Sequence, residues 1–245
     1  MSRPVLLIAG GSRGIGAATA KLAAEQGYDV AVNYKSNSNA AAAVVDAVKK
    51  AGGKAVAIHG DMALENDIER VFDTASNTLG LLTRFVHSSG IIGEGSRLDA
   101  VSAETIREVL DIDTFGALLC LRACVRRMST KHGGKGGAVV MLSSMAAPLG
   151  GANECVWYAA AKAGVDSMVI GVSREVAKEG IRVNAITPGV IDTDIQPPGR
   201  IERVLPMLPM GRPGQANEVA EAILFLLSDA ASYINGANLR VSGAR

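Results

Sequence analysis

Short, wholly apolar runs of strand length alternate with helical runs almost from one end of this chain to the other, and that alternation leaves few folds open. Val5-Leu6-Leu7-Ile8 and Val139-Val140-Met141-Leu142 have no polar residue to turn toward water, so each needs cover on both faces. Strands buried in that way pair in parallel, and parallel neighbours need a crossover long enough to hold a helix. The expected fold class is therefore α/β: a doubly wound parallel sheet of about seven strands, flanked by helices on both faces. Strands are predicted at Val5–Ala9, Asp29–Tyr34, 54–60, 84–88, 138–143, 182–186 and Asn238–Val241, with helices at 14–26, 39–51, Glu65–Leu79, 102–130, 158–179 and 217–228. At 245 residues the chain suits a single domain, 1–245.

Two long irregular stretches, 145–157 and 190–213, follow strand C-termini, and the second holds most of the prolines. Ligands of such sheets sit outside the C-terminal strand ends, so these loops are expected to wall a site, with 190–213 as a substrate-loop insertion.

Composition narrows the function. A net charge of +1 points to no nucleic-acid partner and no membrane surface. The three cysteines (Cys120, Cys124, Cys155) have no CxxC spacing and read as small buried hydrophobes in a reducing compartment. Three scattered histidines, His59, His87 and His132, leave little material for a metal site or a serine–histidine triad; no metal is expected. The first apolar run is strand-sized and leads straight into a glycine turn, and no run approaches the ~20 residues a bilayer requires. A cytoplasmic location is expected.

Two motifs carry chemistry. Gly10, Gly14 and Gly16, with Ser12, Arg13 and Ile15 between them, follow the first strand and open the first helix. Glycines there admit positive φ and let backbone N–H groups approach a pyrophosphate at a helix N-terminus. The spacing GxxxGxG differs from the commoner GxGxxG, and strand before with helix after is what gives it weight. Further along, Tyr158 and Lys162 stand four apart on a predicted helix, fourteen residues after Ser144. That spacing puts them on one face, where an ammonium lowers a phenol's pKa and makes a tuned acid/base. At the end of the second strand, where an NAD site usually has an acid for the ribose hydroxyls, the chain reads Asn33-Tyr34-Lys35. Lys35 with Arg13 could neutralise a 2′-phosphate, which favours NADP(H) over NAD(H); two solvated surface cations are the alternative.

In this order and spacing, the motifs resemble the short-chain dehydrogenase/reductase family over essentially the whole chain, nearest the branch of 3-oxoacyl-acyl-carrier-protein reductases and glucose dehydrogenases. The resemblance implies a Rossmann fold. It also implies that Asp61, followed by Met62, contacts adenine and that Ser88 and Gly90 keep a close backbone approach to the cofactor. Pro188, Gly189, Ile191 and Thr193 match the segment that closes over the nicotinamide. By the same resemblance Ser144 holds the substrate oxygen, Tyr158 exchanges its proton, and Lys162 holds the ribose and lowers the tyrosine pKa.

The chain also departs from the pattern. Asp113 stands where the family has an asparagine that bends its helix in a proton relay; aspartate could imitate the bend while adding charge, or simply pair with a neighbouring base. His87-Ser88-Ser89-Gly90 replaces NNAG, Ala9 replaces a threonine, and Ser242-Gly243 replaces a double glycine.

The leading expectation is an NADP(H)-dependent oxidoreductase acting on a small-molecule carbonyl or secondary alcohol. The alternative is a dinucleotide-binding or interaction protein whose relay has weakened. Arg126, Arg127, Lys131 and Lys135 read either as a patch for an acidic carrier protein or as a solvated helix end. Surplus apolar positions such as Leu118, Leu119, Cys120, Val165, Met168, Val169, Val172 and Val176 suit either a helix fully buried in a monomer or a helix-paired interface, and the resemblance implies the second, a homo-oligomer (dimer or tetramer).

Overall fold

The computed structural model describes residues 3–245. Seven strands form one parallel sheet in the order β3-β2-β1-β4-β5-β6-β9: β3 is Ala55–His59, β2 Asp29–Tyr34, β1 Val5–Ala9, β4 Leu82–His87, β5 Gly137–Leu142, β6 Ile181–Pro188 and β9 Asn238–Val241. The predicted strands are all present, with ends displaced by at most two residues. β1 shows why continuous apolar runs were needed. Val5, Leu7 and Ala9 enter the core on one side of the sheet, while Leu6 and Ile8 enter the core on the other. The first core contains Phe72, Phe85 and Met141; the second contains Val30, Val140 and Ile223.

Helices α1 (Gly14–Glu25), α2 (Ser38–Lys50) and α3 (Glu65–Leu79) follow the first three strands. Asn37 caps α2 by accepting from the Ala40 N–H at 2.9 Å, and Glu65 and Asp67 lie in the first turn of α3, where negative charge suits the helix dipole.

The helix expected over 102–130 is three pieces: α4 (Ala103–Leu110), a π-helical turn over Asp111–Gly116, and α5 (Ala117–Met128). The wider turn carries Asp113 inward to full burial. At its end Gly116 lies so close to the Met62 carbonyl that a Cβ there would sit 2.0 Å from the oxygen. The irregular stretch before Tyr158 contains a short helix, α6 (Ala146–Leu149), and α7 follows over Val156–Val176. The stretch 190–213 is less irregular than expected. β7 (Ile191–Asp192) pairs with β8 (Gly214–Gln215), pinning the base of a loop that holds α8 (Arg200–Val204); α9 (Ala216–Leu227) then packs beside α1.

Two surface expectations change. Arg126 and Arg127 do not form a free basic patch, because Glu69 lies 3.4 and 2.7 Å from them and Asp73 lies 2.7 Å from Arg127. Cys120, Val165, Val169 and Val176 are spent on this chain's own core, with Met168 and Val172 packed against it, and Leu119 is buried there too. Leu118, Phe115 and Ile170 do remain exposed. All three cysteines are free and buried. No helix of the described residues is long and apolar enough to cross a membrane.

A buried amide fastens the C-terminal ends of the first three strands. Asn33 accepts from the Gly10 N–H at 3.2 Å and donates to the carbonyls of Ile58 and Gly60 at 3.3 and 2.9 Å. Removing it leaves three backbone groups short of a partner, and Asn33→Ala is expected to cost about 1–3 kcal/mol. Urea unfolding measures this; a change within about 0.5 kcal/mol, typical of a neutral surface site, would show that Asn33 fastens nothing.

Candidate active site

The strand order reverses on either side of β1, and a cavity of about 900 Å³ opens there, along the C-terminal edge of the sheet. Its walls bring together residues distant in sequence. Gly10, Ser12, Arg13, Gly14 and Ile15 come from the glycine turn, Tyr34 and Lys35 from the end of β2, and Asp61 and Met62 from beyond β3. Ser88 and Gly90 follow β4, Ser144 follows β5, Tyr158 and Lys162 lie on α7, and Pro188, Gly189, Ile191 and Thr193 line the far side. Two predicted site residues lie behind this wall. Gly16 faces the turn itself, where a Cβ would sit 2.2 Å from the Gly10 oxygen, and Asp113 is buried against Lys162.

At the inner end Tyr158 occupies the first turn of α7 and Lys162 the next. The ammonium Nζ lies 5.6 Å from the centre of the tyrosine ring. Lys162 is 3% exposed, so its charge has lost most of its water. Two oxygens replace it. Nζ donates to the Leu142 carbonyl at 3.1 Å and lies 2.7 Å from Asp113 Oδ1. The aspartate contact is close but off the hydrogen-bonding direction, a charge pairing rather than an aligned bond. Asp113 Oδ2 is fixed separately by the Ile91 N–H at 3.0 Å.

These neighbours set the protonation states. Burial works most strongly against the Lys162 ammonium, but Asp113, with Tyr158 and Asp166 adding to it, outweighs burial and holds the lysine above its usual value. Burial lifts the Asp113 carboxyl, with Lys162 opposing. The Tyr158 phenol is raised, not lowered as its spacing from Lys162 predicted. Burial raises it most, Asp113 adds to that, and Lys162 offsets only part. Burial of the ring is the main cause, and the Asp113 carboxylate paired with Lys162 takes away part of the field that opposes it. His87, buried at the end of β4 beside this group, is pushed down to about 3 by burial and by Lys162, and stays neutral. Ser144 accepts from the Ala146 N–H at 3.1 Å, which orients its hydroxyl at the mouth of β5.

The other end of the cavity has the form of an anion cradle. Arg13 is the N-cap of α1 without a side-chain capping bond, so the helix's first N–H groups are not claimed by a cap. A Cβ on Gly10 would come within 2.7 Å of the Ser89 nitrogen, and Gly14 has φ of +52° with Thr193 3.5 Å from where its Cβ would lie. Only bare backbone fits, and bare backbone is what a pyrophosphate would contact. Lys35 lies 2.8 Å from Asp61, and Arg13 3.9 Å from Asp194, so neither cation is free. Among the described residues no group of histidine, cysteine and carboxylate side chains could hold a metal ion.

Sequence reasoning missed part of the wall. Asn33, Glu94, Glu154, Arg200, Arg203 and Arg245 also line the cavity. Asn33 had a legible signal, an amide inside an otherwise apolar strand; Arg200 and Arg203, in a proline-rich loop, had none.

With this geometry in view, comparison identifies the class. A family model described as enoyl-(acyl carrier protein) reductase matches residues 9–243. The chain belongs to the short-chain dehydrogenase/reductase family, and it is an oxidoreductase of that family. An oxidoreductase of Escherichia coli (strain K12) named YgfF, described as uncharacterized, is 44% identical over 98% of this chain and 99% of its own length. A 3-oxoacyl-acyl-carrier-protein reductase of Synechocystis is 35% identical over 99% of this chain and 97% of its own. Among solved structures, a blue fluorescent protein from a metagenomic library, in complex with NADPH, superposes with a TM-score of 0.90 at 29% identity, over 98% of this chain and 96% of that one.

The Asp113–Lys162 pair depends on the absence of a side chain at Gly90, where a Cβ would lie 2.4 Å from Asp113 Oδ1 and 3.2 Å from Nζ. Asp113 cannot retreat, being fully buried and held by the Ile91 N–H. Gly90→Ala is expected to destabilise the protein by about 1–3 kcal/mol. An unfolding midpoint unchanged from wild type would show that this corner has slack.

Proposed function

We propose that this protein is an NADP(H)-dependent oxidoreductase that moves a hydride between nicotinamide and a small carbonyl or secondary-alcohol substrate. The reading is carried by one observation: the Tyr158 phenol and the Ser144 hydroxyl meet at the inner end of the same cavity whose outer end is a bare-backbone anion cradle. When bound, the nicotinamide supplies or accepts the hydride. The chain's own residues handle the proton and the charge. Ser144 donates a hydrogen bond to the substrate oxygen as negative charge grows on it. Tyr158, its proton held firmly by burial, delivers that proton to the same oxygen in carbonyl reduction. In alcohol oxidation it must first lose the proton, and Lys162 is the group that favours the phenolate.

Arg13 and Lys35, with no carboxylate at the end of β2, support NADP(H) over NAD(H). For a 2′-phosphate to be bound, Lys35 would exchange its contact with Asp61. The span 190–213 serves as the substrate loop, its base closed by β7 and β8. The NADPH carried by the metagenomic neighbour points the same way. Exposed Phe115, Leu118 and Ile170 suit a homo-oligomer.

A second reading, a dinucleotide-binding protein with weakened chemistry, draws on Asp113, whose charge blunts the lysine and raises the phenol. Two variants separate the readings. Tyr158→Phe should keep NADPH binding, followed by cofactor fluorescence, and lower carbonyl-reduction turnover about a thousandfold. A rate near that of wild type removes Tyr158 as the acid.

Asp113→Asn should keep turnover but move the alkaline limb of the reduction profile to lower pH. The sign follows from the neighbours: Asp113 raises both Tyr158 and Lys162, so without its charge both lose their protons at lower pH. A limb that stays put, or moves up, in the pH dependence of kcat/KM would mean that Asp113 does not govern the acid.

A further inference from the structure

The wall of the cavity formed by the loop over 190–213 carries an arginine pair that the proton chemistry leaves unused. Arg200 and Arg203 stand three apart on α8, away from the face that bears Ile201 and Val204. Val204 is buried with Val190 and Leu208, and Ile201 packs against them, so one face of the helix is clamped and the other presents the two guanidiniums. Both reach Glu154, four residues ahead of Tyr158. Arg200 Nη2 lies 3.1 Å from Oε2, and Arg203 Nη2 lies 2.6 Å from Oε1. Arg200 is braced further by donating to Gln196 Oε1 at 2.6 Å. Glu154 is itself held in place, its carbonyl accepting from the Ser96 N–H at 3.0 Å.

Charge at this rim does not balance. Two cations, Arg200 largely buried and Arg203 exposed, face one carboxylate, which leaves one positive charge over. Elsewhere on the wall the charges come out even: Lys35 pairs with Asp61, Arg13 with Asp194, and Lys162 with the Asp113 behind it. Arg245 and the exposed Glu94 match in number. Each guanidinium has five N–H donors in a planar fork; Glu154 takes Nη2 of each and Gln196 takes Nη1 of Arg200, so the open donors lie mainly on Arg203, with Nε of Arg200. Those donors suit a second carboxylate.

We propose that Arg200 and Arg203 receive a carboxylate on the substrate, so that the preferred substrates are keto acids, or the corresponding hydroxy acids, over neutral ketones. Resting on the assignment of Tyr158 as acid/base, this adds the substrate class. Glu154 keeps the pair aligned, and the incoming carboxylate joins it or takes its place.

The test uses the NADP⁺-loaded protein, in which a keto compound binds without reacting. Calorimetry compares β-, γ- and δ-keto carboxylates with their methyl esters, and NADPH oxidation is followed separately. At least one acid should bind roughly tenfold more tightly than its ester. Arg200→Gln with Arg203→Gln should abolish that difference. Glu154→Gln, which removes the internal competitor, should widen it, an effect that a purely structural clamp does not produce. Equal affinities across the panel, or an acid preference that survives the double arginine variant, overturn the site. If the double variant fails to fold, Arg203→Gln and Glu154→Gln carry the test, and no change in either overturns it. Turnover of acids and esters alike with no affinity difference leaves the reductase standing and removes the arginine site. Acid-selective binding without NADPH oxidation keeps the arginine site and removes the reductase.

Discussion

A buried ammonium needs oxygen around it, and much that is unusual in this chain follows from supplying it to Lys162. A cation at 3% exposure without partners would cost several kcal/mol or give up its proton. The Leu142 carbonyl and Asp113 prevent both outcomes. Asp113 can reach Nζ because the chain around it forms a π-helical turn, which rotates the residue inward where an unbroken helix would not. That turn ends at Gly116, pressed on the Met62 carbonyl, and the carboxylate lies over Gly90, which has no side chain to obstruct it. These positions form one local solution, in which Asp113 lies in the bend and also pairs with the neighbouring base.

That solution changes what the lysine does for the tyrosine. An isolated cation on the tyrosine's face would pull the phenol toward ionisation. Paired at 2.7 Å with a carboxylate, the same cation presents to the ring something closer to a dipole, whose field falls off faster with distance. Burial then dominates, and the phenol keeps its proton. Such an acid suits delivery of a proton to a carbonyl oxygen at neutral pH. It suits abstraction from an alcohol less well.

Much of the fold was legible because its determinants are local. A strand covered on both faces has to be apolar throughout, and β1 and β5 announce themselves on that ground. The glycine turn and the Tyr158–Lys162 spacing were legible for a similar reason, since each is a short-range geometric demand written in neighbouring residues. What stayed hidden depends on contacts across the chain. The π-helical turn arises where Gly116 meets Met62, more than fifty positions away, and helical periodicity is blind to that. The phenol's raised pKa reflects burial and a third residue, neither of which a two-residue motif contains. Arg126 and Arg127 looked like a basic patch until Glu69 and Asp73 on the neighbouring helix met them.

The loop over 190–213 is the limiting case. Its sequence is rich in proline and lacks periodicity, so 190–213 read as irregular, yet it carries a small cluster of its own and a helix directed by it. What organises the loop is closure: β7 and β8 join its ends, and the Glu154 contacts tie its middle to the segment ahead of Tyr158. A loop anchored at base and middle holds its charged groups at a set place relative to the phenol, and orienting a substrate requires that. The same anchorage makes any specificity of this site a property of two or three side chains rather than of the fold. Relatives can therefore share the sheet, the glycine turn and the tyrosine while differing in what they reduce.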